Sequence, residues 1–202
     1  MSAPEATPAD EQLMQAFAAG QVSAFDTLYG RHATSLWRYM FRSIGDAAVA
    51  EELSQEVWFS VARHAARYTP RANSPEHPPA RFATWLYTLA RHRVIDALRA
   101  RRPHTSLDTP LTEGTEQALL DTLAAPSGFG PLRRIETRQQ AEQLLAALDA
   151  LPPEQREAFL LQAEGGLGVA EIAEATGVGP ETAKSRLRYA RAALRRTLET
   201  LA

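Results

Sequence analysis

The chain has 202 residues, a formal net charge of -2, 45% hydrophobic residues, 23% charged residues and no cysteine. That length suits one or two compact domains, and the missing thiols exclude disulfide scaffolds, thiolate metal sites and cysteine nucleophiles. The first residues, MSAPEATPADEQ, lack the basic-then-apolar order of a secretion signal, and no apolar run approaches the roughly 18 to 20 residues of a membrane span. The expectation is a soluble, cytoplasmic protein without membrane insertion.

Apolar residues recur at helical spacing along nearly the whole chain and no run alternates as a strand would, so the sequence predicts an all-α fold. Thr7-Pro8, Ser23 and Asp46 are the kind of residue that opens a helix, because a short side-chain oxygen can accept from the first free amides. Helices are expected at 8–19, 24–42, 47–67 and 80–101. The proline-rich stretch 69–79 separates the third from the fourth, and Pro103 closes the fourth. Residues 105–130 are rich in Thr, Pro, Gly, Ser and acid, which predicts a flexible linker with room for a short helix near 116–123. A second helical unit begins near Leu132, with a helix over 132–149, a restart after Leu151-Pro152-Pro153, a short helix from Val169 to Thr176, and a long basic helix from Pro180.

The near-neutral total conceals two basic blocks. Arg81, Arg91, Arg93, Arg99, Arg101 and Arg102 face a single acid, Asp96; Lys184, Arg186, Arg188, Arg191, Arg195 and Arg196 face only Glu181 before Glu199. Basic helices suit phosphate backbones, because displaced counterions supply affinity that does not depend on sequence. The plain alternative is a solvated helix face.

Val169 to Val178 followed by Pro180 to Arg191 has the pattern of a helix-turn-helix. Ile172, Ala173 and Leu187 point inward, Gly177 permits the turn, and Val178 fills the gap between the helices. Thr182, Lys184, Ser185, Arg188 and Arg191 then face outward, where Arg and Lys can read guanine edges and hydroxyls can meet bases or phosphates. The competing reading is a helical hairpin with a charged outer face.

In the first unit, Phe82, Trp85 and Tyr87 are interleaved with arginines, a combination that suits single-stranded nucleic acid. Phe82, Leu86, Leu89 and Ile95 read better as core, while Trp85 and Tyr87 fit either role. The helix over 47–67 carries Glu51-Glu52-Leu53-Ser54-Gln55-Glu56-Val57-Trp58, an acidic and amide face with an aromatic expected at the surface. Such a face would repel DNA and fits a basic protein partner.

In this order the pieces resemble the extracytoplasmic-function sigma factors, the smallest class of the primary-sigma (sigma-70) family. Ala24-Phe25 with Leu28-Tyr29, then Ala50 to Leu53 with Gln55-Glu56-Val57, resemble the start of sigma region two and its core-polymerase-binding helix. Phe82, Trp85-Leu86-Tyr87, Ala90-Arg91, Asp96 and Leu98-Arg99 resemble the part that melts and reads the minus-ten promoter element. Leu151-Pro152 with Arg156, Glu171-Ile172-Ala173, Thr182, Lys184 to Leu187 and Ala190-Arg191 resemble region four, which reads minus-thirty-five.

The resemblance implies region two over 1–104, a flexible acidic linker over 105–131 running through the polymerase, and region four over 132–202. It implies core-polymerase contacts by Glu51, Glu52, Leu53, Gln55, Glu56 and Trp58. It also implies downstream-element contacts by Tyr68, Trp85, Tyr87, Arg91, His92 and Arg99, with Tyr68 and His92, near His64, at a pocket for a flipped base beside the loop 69–79. The upstream element would meet Thr182, Lys184, Ser185, Arg186, Arg188, Tyr189 and Arg191, with Tyr189 where an arginine is common and Gly168 where Ser or Thr usually caps. Partners implied are core RNA polymerase, promoter DNA as duplex and as melted strand, and an anti-sigma factor. No cofactor, metal, small-molecule substrate or enzymatic activity is implied.

Two other readings differ in kind. A stand-alone helix-turn-helix regulator with a ligand-sensing bundle would bind its operator without polymerase. An enzyme using His64 and His92 with Glu51 or Asp96 as metal ligands has no recognisable ligand spacing to support it.

Overall fold

The computed structural model describes residues 8–68, 81–101 and 138–199, and among them every regular element is helical. The first unit comprises α1 (Asp10–Ala18), α2 (Val22–Ile44), α3 (Ala47–His64), a 3-10 turn (Ala65–Arg67) and α4 (Phe82–Arg101). The second comprises α5 (Arg138–Asp149), α6 (Pro153–Ala163), α7 (Val169–Thr176) and α8 (Pro180–Glu199). The expected linker 105–131, the short helix near 116–123 and the loop 69–79 lie outside the described residues.

Helix ends follow local chemistry, though two starts differ from the sequence reading. Asp46 caps α3 as expected, its Oδ1 accepting from the Val49 amide at 3.1 Å. Gly45 ends α2 at φ 75°, a left-handed conformation that a side chain would disfavour. Ser23, expected to cap α2, instead lies inside its first turn, where its carbonyl accepts from Thr27 Oγ1. At α1 the cap position is Ala9, whose amide donates to Gln12 Oε1 at 3.0 Å. The start of α4 is served from another helix: Glu11 Oε1 of α1 accepts the Phe82 amide at 2.8 Å. A carboxylate there also suits the positive end of the helix dipole.

Each unit buries one apolar stripe per helix. Leu28, Leu36, Tyr39 and Met40 of α2 meet Ala50, Val57 and Val61 of α3 and Phe82, Leu86 and Ala90 of α4. In the second unit Ala183, Leu187, Ala190 and Leu194 of α8, at helical spacing, pack on Ile172 and Ala173 of α7 and on Phe159 and Leu160 of α6.

The two units share one continuous core. The turn after α6 enters the first unit between α2 and α4. Glu164 Oε2 accepts from Arg38 Nε at 2.7 Å, its Oε1 lies 3.5 Å from Arg42 Nη1, and its main-chain carbonyl accepts from the Tyr87 hydroxyl at 2.8 Å. A Cβ on the next residue, Gly165, would lie 3.1 Å from Tyr87 Cγ and 2.6 Å from the Leu161 carbonyl oxygen, so glycine is what lets the turn approach this closely. Around this centre Thr84 Oγ1 donates to Glu171 Oε1 at 2.6 Å, and Arg91 Nε donates to Glu157 Oε1 at 2.8 Å.

Candidate nucleic-acid and partner interfaces

The α7–α8 pair has the geometry that its sequence pattern predicts. Gly177 turns the chain at φ 69°, Ile172, Ala173 and Leu187 are buried, and Val178 packs against the core between the helices. Gly168 caps α7 without a side chain, and its own amide donates to Glu171 Oε2 at 2.8 Å, the half of a capping box that the glutamate supplies.

With one face of α8 committed to the core, the remaining side chains are sorted by helical periodicity alone. Thr182, Lys184, Arg188, Tyr189 and Arg191 are exposed, while Ser185 and Arg186 are half-buried on the flanks. Lys184, Arg188, Arg191 and Arg195 line a groove of about 420 Å³ whose other wall is Val169 at the start of α7 and Gln162 at the end of α6. Gln162 Oε1 accepts from Arg191, and the Arg188 guanidinium lies 4.9 Å from the Tyr189 ring centre. Four cations on one groove wall form a surface complementary to a phosphate backbone.

In α4 the expected nucleic-acid residues divide between two faces. Trp85, His92 and Arg99 recur every seven residues and form one stripe; Trp85 is half-buried, and His92 and Arg99 are exposed. Tyr68 stands against this stripe with its ring centre 5.2 Å from that of Trp85, and both pack on Phe82. Its hydroxyl is buried without a partner among the described residues, and burial, with Glu11 and Asp10 nearby, pushes its pKa up to about 12.

Tyr87 and Arg91 lie on the opposite face. Tyr87 is completely buried against Tyr39 and Glu164, and burial raises its pKa further still. Of the two roles that the sequence left open for Tyr87, core is the one it has in this arrangement. Arg91 is engaged by Glu157. Neither is presented to a ligand here, because the second unit covers that side of the helix.

The acidic helix α3 requires a similar correction. Glu51, Glu52, Gln55 and Glu56 are exposed as expected, but Leu53 and Trp58 are buried. Trp58 and Phe25 meet at a near-perpendicular angle of 86°, and the Trp58 ring centre stands 5.0 Å from that of Tyr29. The aromatic at the surface is its neighbour Phe59, 70% exposed, with Tyr29 at 48% across the groove. Glu51, Gln55, Phe59 and Ala62 line one side of this groove, and Phe25, Tyr29, Ala33 and Trp37 of α2 line the other, enclosing about 650 Å³. The periodicity held the signal: Phe59 lies four residues after Gln55 and eight after Glu51, on their stripe, whereas Trp58 belongs with Ser54 and Val61 on the buried one. Among the described residues there is no cluster of His, Asp or Glu able to hold a metal; His64 Nδ1 is 2.8 Å from the Ser60 carbonyl oxygen.

Known proteins fit this geometry. Residues 28–104 match the family model for sigma-70 region 2, and residues 141–194 match that for sigma-70 region 4. The ECF RNA polymerase sigma factor SigL of Mycobacterium tuberculosis is 34% identical over 187 residues, covering 91% of this chain and 94% of that protein.

The chain belongs to the ECF sigma factors of the sigma-70 family. RNA polymerase sigma factor CarQ of Myxococcus xanthus is similar at 33% identity, over 86% of this chain and 88% of that one. The fold agrees with that of CnrH, solved in complex with the cytosolic domain of CnrY, at a TM-score of 0.62 and 20% identity over 96% of this chain and all of that one. As a sigma factor the chain binds RNA polymerase and promoter DNA and directs transcription initiation, and the family is not enzymatic. No helix among the described residues is long and apolar enough to cross a membrane.

Proposed function

We propose that this sigma factor divides its work among three surfaces. The outward face of α8, with Lys184, Arg188 and Arg191 at its centre and Thr182, Ser185, Arg186 and Tyr189 around them, holds the minus-thirty-five element. The stripe Trp85, His92 and Arg99 with Tyr68 takes the melted minus-ten strand, where bases stack on the aromatic pair and phosphates meet the arginine. The groove between α2 and α3 docks on core polymerase, with Phe59 and Tyr29 as apolar anchors and Glu51, Glu52, Gln55 and Glu56 as its acidic rim. Region two then occupies 1–104, the acidic linker 105–131 and region four 132–202. The protein works in the cytoplasm, and the α2–α3 groove is also the natural landing site for an anti-sigma factor, because blocking it withholds the polymerase.

The observation that supports this division best is the groove on α8, where four cations line one wall while the same helix commits its other face to the core. Run-off transcription with bacterial core polymerase tests it. Discrete start sites should appear only with this chain, and they should be lost when Lys184, Arg188 and Arg191 are all changed to Ala. Start sites that persist with the triple variant would refute the assignment of α8.

A further inference from the structure

Helix α4 begins without an acid of its own. Its first turn holds none, and Arg81, exposed just before it, adds to the positive end of the helix rather than offsetting it. The carboxylate comes from α1 instead: Glu11, half-buried, accepts the Phe82 amide at 2.8 Å across 71 positions of chain. Glu171, also near this end, meets the side chains of Thr84 and Arg81 rather than that amide.

The residue that Glu11 fixes is the one around which the aromatic cluster is built. Phe82 is fully buried, and its ring centre lies 6.1 Å from that of Tyr68, 6.0 Å from that of Trp85 and 5.4 Å from that of His32 on α2. Tyr68 faces the same end of α1: burial, then the charges of Glu11 and Asp10, push its phenol up to about 12. Helix α1 packs both on the 3-10 turn that leads into Tyr68 and on α4. It is held there by Leu13 and Met14, which are buried, and by Asp10, whose oxygens meet Arg31 at 2.6 Å and His32 at 2.7 Å. One short helix thus sets both sides of the place where Tyr68 and Trp85 meet. A gap of about 0.5–1 Å between a ring and its base forfeits roughly a quarter to a half of the contact energy, so small shifts of these rings weaken their grip.

We propose that Glu11 is a positioning residue for promoter opening: its carboxylate on the Phe82 amide, with Asp10 securing α1 to α2, holds Tyr68 and Trp85 in the arrangement that receives an unstacked base. The inference rests on the proposed reading of the stripe Trp85, His92 and Arg99 with Tyr68. Glu11 itself meets no DNA; it sets the place of the groups that do.

Run-off transcription from two pre-melted templates tests this, with holoenzyme assembled from the full-length chain. Both templates carry a promoter mapped with this chain, its minus-ten region held open as a mismatch bubble. One keeps the native non-template bases and the other has them replaced. Wild type should favour the native bubble. Glu11→Ala should lower that preference about tenfold, the scale of a lost helix cap carried into one stacked base. Glu11→Gln keeps an oxygen for the Phe82 amide and should restore the preference to within about threefold of wild type. A merely structural role would lower output from both bubbles alike, and an unchanged ratio in Glu11→Ala overturns the proposal. Circular dichroism checks that the helices are retained. If Glu11→Ala loses them, Glu11→Asp takes its place: its carboxylate falls short by a methylene and should lower the preference about threefold or more, and an unchanged ratio overturns the proposal equally. Trp85→Ala on the same templates keeps the two failures apart. A preference that survives Trp85→Ala removes the reading of the stripe and the proposal with it, whereas one lost in Trp85→Ala but kept in Glu11→Ala removes only the positioning role.

Discussion

Helices α4 and α8 were both legible as basic, nucleic-acid-reading helices, yet the structure treats them differently. In α8 only one face is claimed by neighbours, and the cations left over, Lys184, Arg188 and Arg191, are all exposed. In α4 two faces are claimed, one by its own unit and one by the turn carrying Glu164 and Gly165, so that Trp85 and His92 remain accessible while Tyr87 and Arg91 are taken. A periodic pattern tells which residues turn away from the local core. It carries no information about a second domain that arrives across the chain.

The largest effect should come from the unambiguous helix. Changing Lys184, Arg188 and Arg191 together to Ala should lower transcription on the order of a hundredfold or more and, by removing three cations, flatten the salt dependence of duplex binding by about three units of slope. Filter binding across a salt series reads this directly, and an unchanged slope would place the DNA on another face.

Neighbouring residues on α3 allow the same distinction within two positions. Trp58→Ala should cost about 3–5 kcal/mol of stability, since it leaves a cavity under Phe25 and Tyr29, and a denaturant titration would show it. Phe59→Ala should change stability by no more than about 0.5 kcal/mol but weaken core-polymerase binding by roughly tenfold or more. The reverse pattern would mean that the groove is not the docking face.

Within α4, Trp85→Ala should reduce promoter opening by about ten- to a hundredfold, the loss of one stacked base. Tyr87→Phe removes only the hydroxyl that donates to Glu164, worth roughly 0.5–1.5 kcal/mol to the contact between the units, and should leave opening nearly unchanged. Permanganate reactivity of unpaired thymines distinguishes the two. Equal defects would mean that the two faces of the helix serve DNA alike.

The smallest effect concerns the anchoring of α1. Burial alone would raise the Asp10 pKa, but hydrogen bonds from Arg31 at 2.6 Å and His32 at 2.7 Å, with their charges, bring it below the ordinary 3.8. A lowered folded-state pKa gives stability that is complete above 3.8 and is lost as pH falls through the folded value. Asp10→Asn should therefore cost about 1 kcal/mol or less near neutrality, and the difference from wild type should vanish in acid. Thermal melts from neutral pH down to about 2 would show the convergence.

Most of the architecture was written locally. Asp46, Gly45, Pro153 and Gly177 mark helix ends by chemistry confined to one turn, and α8 sorts its faces by its own spacing. Where expectation and structure part, a distant residue is responsible. Phe82 is capped by Glu11 from 71 positions away, and Tyr87 is covered by a turn 77 positions on. The motif from Glu51 to Trp58 invites a reading of Trp58 as the exposed aromatic, yet the stripe of Glu51, Gln55 and Phe59 points to its neighbour instead. Nothing in the local pattern marks Glu164, since a lone acid at the end of a helix looks the same whether it meets water or two buried arginines.

Run-off transcription from a genomic promoter library, comparing the wild-type chain with the α8 triple variant on the same core polymerase, tests the account most directly. It predicts discrete start sites, absent with core alone, that disappear with the triple variant. Start sites untouched by the triple variant, or none with the wild type while it shifts duplex DNA unaided, would contradict it.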